Sequence, residues 1–376
     1  MSNKNKLIIL SICLAIILFN LFLTYKNPDC PFHVDYVQYA KSINNFYEKN
    51  VIEGNINGKH IYIYLMAVLL TPFKLLNLNL YDSMVFITGI FQALIIYIFY
   101  KYTNSMMKTL LMATTLTFLT FIGQAETAII SSVFLLLYFI NRDKPYSEFF
   151  IAIASFIRID SAIYYMFSKK WTALIPMSIT FLQWMNGKYI VQSDFAINNA
   201  PLSVLFMFLA GYGTYIILLA YLAKPKDNLD FATHIFIIMV LIGLMKSPSQ
   251  KIFFFPIILS FMLYDFDFKK LRKYAVVPFI ILNLLLGSTI QIARAEHCTP
   301  QSIYIFAQRN NENTYYGVFQ PYLDYYNRTA SEPYVYELSQ DCKNANDYFI
   351  AEDWRNSQVL YWPYKFCLEE YANHQN

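Results

Sequence analysis

Glu148-Phe-Phe-Ile-Ala-Ile-Ala-Ser-Phe-Ile-Arg-Ile-Asp-Ser-Ala-Ile-Tyr-Tyr-Met-Phe167 is apolar and long enough to cross a bilayer once, yet Arg158 and Asp160 sit at its centre. Charges at mid-membrane are expensive and face a cavity or a partner rather than lipid. Read as one span, the stretch leaves Lys169 and Lys170 outside, together with Lys224, Lys226 and the basic run at 269–273. Read as two short helices meeting near Arg158, it returns all of them to the cytoplasmic side, where Lys and Arg accumulate. The broken pair is therefore the expected form.

Composition supports this membrane reading. Of 376 residues, 57% are hydrophobic, 18% aromatic and only 14% charged, whereas soluble chains carry about a quarter charged residues. Apolar runs of spanning length recur, as in a polytopic helical membrane protein, because helices satisfy every backbone group within lipid. The short alternating segments of a β-barrel are absent from the sequence. The net charge of +4 sits in loops rather than in a basic stripe, so nucleic acid is not an expected partner.

Outward from the centre, residues 7–24 follow Lys4 and Lys6 and lack a small-residue cleavage site, so they read as a retained first span with a cytoplasmic start. The first outer loop is expected over 25–83, with a helix begun near Val34 and an interfacial amphipathic helix over 61–80. Spans follow at 84–100, 109–123 and 128–140, with a short outer turn at 124–127 and a basic connector at 141–144. After the broken pair come 171–185, 202–223, 231–245, 252–264 and 274–290. The fold expected is an α-helical polytopic membrane protein of about eleven membrane helices, with its N-terminus cytoplasmic. Residues 1–293 form the transmembrane domain, and 294–376 a small extracytoplasmic α/β domain with a strand at 347–351 and a helix at 352–360. Asn327-Arg-Thr329 is a glycosylation sequon.

Five cysteines are present. Cys13 lies within the first span as a packing residue, whereas Cys30, Cys298, Cys342 and Cys367 fall on one outer face and are disulfide candidates with connectivity open.

The polar exceptions converge on that same outer face. Asp29, His33 and Asp35 follow the first span, Glu126 lies at the next outer turn, Arg158 and Asp160 at the broken pair, and Lys246 and Lys251 at a late turn. Carboxylates and cations around one cavity suit an enzyme acting on an anionic, lipid-linked substrate. An acid, or a divalent cation (Mg or Mn) held by Asp29 and Glu126, would activate an acceptor while the cations hold phosphate. Taken singly, Lys246 and Lys251 also fit snorkelling to head groups, Glu126 a turn, and Arg158 with Asp160 a structural ion pair.

In order, these motifs resemble the GT-C superfamily of membrane glycosyltransferases, which use polyprenyl- or dolichyl-phosphate-linked sugars. Asp29-Cys-Pro-Phe-His33 with Tyr39-Ala40 is similar to the acidic first-loop motif, with Asp35 a second candidate. Lys59-His60-Ile-Tyr62 opens a segment similar to the family's outer-face helix, without its proline. Glu126 matches a second acidic position, Ile157-Arg-Ile-Asp160 an arginine between short helices, and Gln250-Lys-Ile-Phe-Phe-Phe-Pro256 a late basic turn. Departures are the missing adjacent acidic pair and the lysine in place of a late arginine. The resemblance implies transfer of one sugar to a hydroxyl of a glycan, lipid or protein on the outer face. It casts Asp29 or Asp35 as the base, with His33, His60, Glu126, Arg158, Asp160, Lys246 and Lys251 contacting substrate.

Two other classes compete. A transporter or flippase would use Arg158 and Asp160 in a substrate path, yet transporters carry repeats and functional loops on both faces. A non-catalytic assembly protein would tolerate replacement of Asp29.

Overall fold

Backbone groups shielded from water need hydrogen-bond partners, and in this chain helices supply most of them. The computed structural model describes residues 3–26, 34–50, 60–168, 170–186, 201–244, 250–267, 276–296, 314–316 and 337–339. The first helices are α1 (Asn3–Lys26), α2 (Val34–Lys49), α3 (His60–Leu75), α4 (Leu80–Thr103), α5 (Met106–Ala113), α6 (Leu116–Thr120), α7 (Thr127–Ile140) and α8 (Ser147–Ile157). Two 3-10 segments, Ile159–Phe167 and Trp171–Ala173, lead into α9 (Leu174–Asn186). The rest are α10 (Pro201–Tyr212), α11 (Tyr215–Leu222), α12 (Asn228–Leu244), α13 (Gln250–Leu263) and α14 (Val277–Glu296). Strand β1 (Ala223–Pro225) pairs antiparallel with β2 (Tyr264–Phe266), and β3 (Thr314–Tyr316) pairs parallel with β4 (Glu337–Ser339). The strand and helix expected at 347–360, and the four outer cysteines, lie outside the described residues.

Among the described residues two helices are long and apolar enough to cross a membrane, at Asn5–Tyr25 and Leu80–Thr103. Two further apolar runs expected to be continuous are interrupted. The run at 109–123 divides into α5 and α6 at Thr114 and Thr115, and the run at 202–223 into α10 and α11 at Gly213 and Thr214. Neither break has a proline. Each is held by side-chain amides of other helices, which is how irregular backbone is tolerated away from water. Asn283 of α14 donates to Thr114 O and Tyr212 O, both at 3.1 Å, and its Oδ1 accepts from the Thr214 N–H at 2.9 Å. Gln92 of α4 donates to Phe118 O at 2.8 Å and Gln291 of α14 to Leu119 O at 2.6 Å. Asn20 of α1 accepts from the Gly123 N–H at 2.7 Å, while its own amide donates to Ile16 O.

These amides belong to an inverted distribution of polarity. Asn20, Thr88, Gln92, Ser131, His234, Asn283 and Gln291 are buried, while Leu7, Leu10, Leu14, Leu18 and Phe22 form an exposed stripe at helical spacing on α1. On α14, Ile281, Leu285 and Ile292 face outward while Asn283 and Gln291 face inward. Water favours the opposite arrangement.

The helix ends sort by charge. At one end Lys108 donates to Tyr264 O and Asp265, each at 2.8 Å, and Lys226 lies 3.7 Å from Asp265. Arg142 pairs with Asp230 at 2.9 Å close by, since α12 starts directly after β1. The α5–α6 run leads away from Lys108 to the connection before α7, so Glu126, and Arg158 paired with it, stand at the other end of that run.

Candidate functional site

Glu126 precedes α7 in extended conformation, and its Oε1 accepts the Ala128 N–H at 3.0 Å. A carboxylate in that position caps free amides and meets the positive end of the helix dipole. Thr127 Oγ1 donates to the same oxygen at 3.2 Å. Both residues are buried.

Arg158 arrives from α8. The chain turns extended at Arg158 (φ −142°, ψ 118°) and re-enters as the 3-10 segment Ile159–Phe167. The two arms form a hairpin. At its foot, Ser168 donates to Glu148 at 2.9 Å and Lys170 to Ser147 at 2.9 Å. Below its apex, the Ser131 and Ser161 hydroxyls meet at 2.7 Å, and Ser131 donates to Ala154 O at 3.1 Å. The stretch at 148–167 is thus bent at Arg158, and its second arm is a 3-10 rather than an α-helix.

At the apex one guanidinium lies between two carboxylates. Nε donates to Asp160 Oδ1 at 3.0 Å and Nη2 to Oδ2 at 3.1 Å, a bidentate fork. Nη1 donates to Thr127 Oγ1 at 3.3 Å and stands 3.5 Å from Glu126 Oε1. Arg158 and Glu126 are buried, whereas the Asp160 side chain remains 25% exposed and gives the group its contact with the surroundings. A buried guanidinium holds its charge when paired on both edges, as here.

Around this triad gather the residues expected to line the first outer loop. Tyr39, Ala40 and Ile43 of α2 and Tyr62, Ile63 and Met66 of α3 share one buried cluster with Ala125, Ile130 and Ile157. Ala125 and Ile157 flank Glu126 and Arg158, and Ile130 lies one turn into α7, so α2 and α3 pack directly against the triad's supports. Tyr62 is fully buried and meets Tyr39 edge-on at 5.3 Å. Burial, and then the nearby Glu126 carboxylate, push its phenol well above the usual range, so it carries its proton. Tyr164 lies one turn beyond Asp160, close to Asp160 and Arg158. The hydroxyls of Tyr62 and Tyr164 are buried without a hydrogen-bond partner among the described residues. Neither tyrosine was singled out in the sequence as a site residue, since buried aromatics recur throughout this chain.

Of the other expected site residues, His60 opens α3 and is exposed. Lys251 lies in the first turn of α13, one turn before Phe254 and Phe255, which pack on Phe121 and on Tyr164 and Phe139 respectively. Asp35 falls in the first turn of α2, but its side chain is outside the described residues. Asp29, His33 and Lys246 lie outside the described residues altogether. The divalent-cation reading rested on Asp29 with Glu126, so only half of it can be placed. Among the described residues no three His, Cys, Asp or Glu groups converge. Glu126 Oε1 already serves the Ala128 amide, Thr127 and Arg158. The described side chains thus fit charge neutralisation by Arg158, and a cation would need further ligands.

Compared with family models, curated proteins and solved structures, the chain matches none.

Proposed function

We propose that this chain is a multi-pass membrane glycosyltransferase of the GT-C type, with about eleven membrane segments. It moves one sugar from a polyprenyl-phosphate donor to an acceptor hydroxyl on the extracytoplasmic face. The observation that carries the reading is the Glu126–Arg158–Asp160 triad, packed against α2 and α3 at the end of the bundle opposite Lys108, Arg142 and Lys226. The basic end faces the cytoplasm by the distribution of Lys and Arg. Burial of amides behind an exposed leucine stripe supports helices immersed in lipid even where the individual helices are short.

In this reading Asp29 or Asp35 takes the proton from the acceptor hydroxyl as its oxygen attacks the anomeric carbon. The bond from that carbon to the phosphate oxygen breaks, and polyprenyl phosphate leaves with the electron pair. The Nε and Nη2 edge of Arg158, held by Asp160 in the resting protein, matches a phosphate equally well. The leaving phosphate exchanges with Asp160 on that edge, while Glu126 and Thr127 hold the Nη1 side in place. Lys246 and Lys251 add positive charge as the phosphate is released, and His33 and His60 line the approach.

The test is sugar transfer by purified protein in lipid from polyprenyl-phosphate-mannose and -glucose to a mixed glycan acceptor. Wild type is compared with Asp29→Asn, Asp35→Asn and Arg158→Lys. Transfer abolished by one aspartate change and strongly reduced by Arg158→Lys is expected. Equal turnover in all four proteins would remove the mechanism, and no transfer by wild type would shift weight to a flippase of lipid-linked substrates.

A further inference from the structure

From the two orphaned phenols beside the triad we infer that Tyr62 and Tyr164 are the groups that read the hydroxyls of the bound sugar, and so set donor preference. The inference rests on the glycosyltransferase reading and extends it to two residues given no substrate role there, Tyr62 from the segment opened by Lys59-His60-Ile-Tyr62 and Tyr164 from outside any motif. A buried hydroxyl without a partner loses its water and gains nothing in return, so a protein seldom keeps one that has no use. Here two such hydroxyls belong to the elements that carry and cover the triad. Tyr62 packs in one cluster with Ala125 and Ile157, the chain neighbours of Glu126 and Arg158, and Tyr164 follows Asp160 by four residues on the 3-10 segment. Phenylalanine would fill either site at almost the same volume, and this sequence uses Phe freely, with 33 in the chain. Both rings are fixed, Tyr62 edge-on against Tyr39 and Tyr164 edge-on against Phe255 at 5.0 Å. Each therefore presents its O–H at a set position, as recognition of a polyol requires.

A phosphate engages the arginine, whereas sugar hydroxyls both donate and accept and so match phenols. The ligand class assigned to these two residues is accordingly the hexose of a phosphate-linked donor, with the phosphate itself left to Arg158.

The probes are a short-chain prenyl-phosphate-mannose, the matching glucose compound and the bare prenyl phosphate. Binding is measured by calorimetry on the full-length protein in nanodiscs, for wild type, Tyr62→Phe and Tyr164→Phe, alongside the unfolding temperature of each. Wild type is expected to favour at least one sugar-bearing probe over the bare phosphate. Each Phe variant should lose about tenfold of that preference, the worth of one hydrogen bond, while binding bare phosphate as before and unfolding at the same or a higher temperature. A sugar preference unchanged in both variants overturns the inference, as does equal affinity of wild type for sugar-bearing and bare probes. A lower unfolding temperature together with weaker binding of all three probes also overturns it, because the hydroxyls would then be structural. Binding with the expected pattern but without transfer would sustain these two assignments while removing the transferase chemistry.

Discussion

Asn283 donates its side-chain amide to the backbone oxygen of Thr114 at 3.1 Å, joining residues 169 apart in sequence. The same amide reaches Tyr212 O, and its oxygen takes the N–H and hydroxyl of Thr214 at 2.9 Å each. One side chain therefore serves both interrupted helices. Asn283→Leu keeps the volume but orphans backbone groups on each, at about 1–3 kcal/mol per group and less where they find other partners. A net loss of about 2–4 kcal/mol is expected, read as a lower unfolding temperature in detergent, with Asn283→Asp no better because a carboxylate would face two carbonyl oxygens.

Gly213 gives a more local test of the same junction. Its φ of +63° is left-handed, and a Cβ there would stand 2.5 Å from Asn283 Oδ1 and 2.8 Å from Leu116. Gly213→Ala should cost about 1–3 kcal/mol through strain and displacement of the asparagine. Gly243 is the control, since a Cβ there would meet nothing within 4 Å on α12. Gly243→Ala should be neutral or stabilising by up to about 1 kcal/mol. Unfolding of both variants side by side checks the contrast.

Removing Arg158 leaves two carboxylates, one of them buried, without their common partner. Arg158→Met should cost about 3–5 kcal/mol, and Glu126→Gln less, because the amide oxygen can still cap α7. The double variant should be less damaged than the sum of the two, since each change removes the other's unpaired charge. Stability measured over the full double-mutant cycle checks this coupling, and strict additivity would argue against a working ion pair.

At the other end, the hydrogen bond from Lys108 holds the Asp265 carboxyl below its usual value, whereas burial pulls the Lys108 ammonium down despite that partner. The two shifts describe one pair in which the lysine's loss of water outweighs what an exposed carboxylate returns. A depressed folded pKa makes the stabilisation from Asp265 complete above its unfolded value near 3.8 and lost as pH falls through the lower folded value. Asp265→Asn should therefore be less stable than wild type at pH 7 by under about 1 kcal/mol, given the exposure of the carboxylate. The gap should close below about pH 4. Unfolding temperature against pH for both proteins checks the sign.

The bend at Arg158 was legible in the sequence because a charge in a spanning run violates a strong rule and the distribution of Lys and Arg gave a second constraint. The breaks at Thr114 and at Gly213 were not. Their windows carry no charge and no proline, and the residue that stabilises both, Asn283, follows Thr114 and Thr214 by 169 and 69 positions. Glu126 could be found as an acidic turn residue, but its double duty as helix cap and arginine partner depends on how α7 and α8 pack. Tyr62 stood within a quoted motif but, like Tyr164, without a role, since only three-dimensional placement shows which of 32 tyrosines are buried without a hydroxyl partner among the described residues.

The bonding of Asn20 also bears on the order of assembly. Its oxygen serves Gly123, which the ribosome adds 103 residues later, while its amide folds back on Ile16 in its own helix. If α1 enters the bilayer as it is made, half of that carboxamide is already satisfied when it partitions from the translocon. Only the oxygen then waits for the later segments. On that condition the first helix can be inserted alone at modest cost and still retain an acceptor that selects the α6–α7 connection as its neighbour.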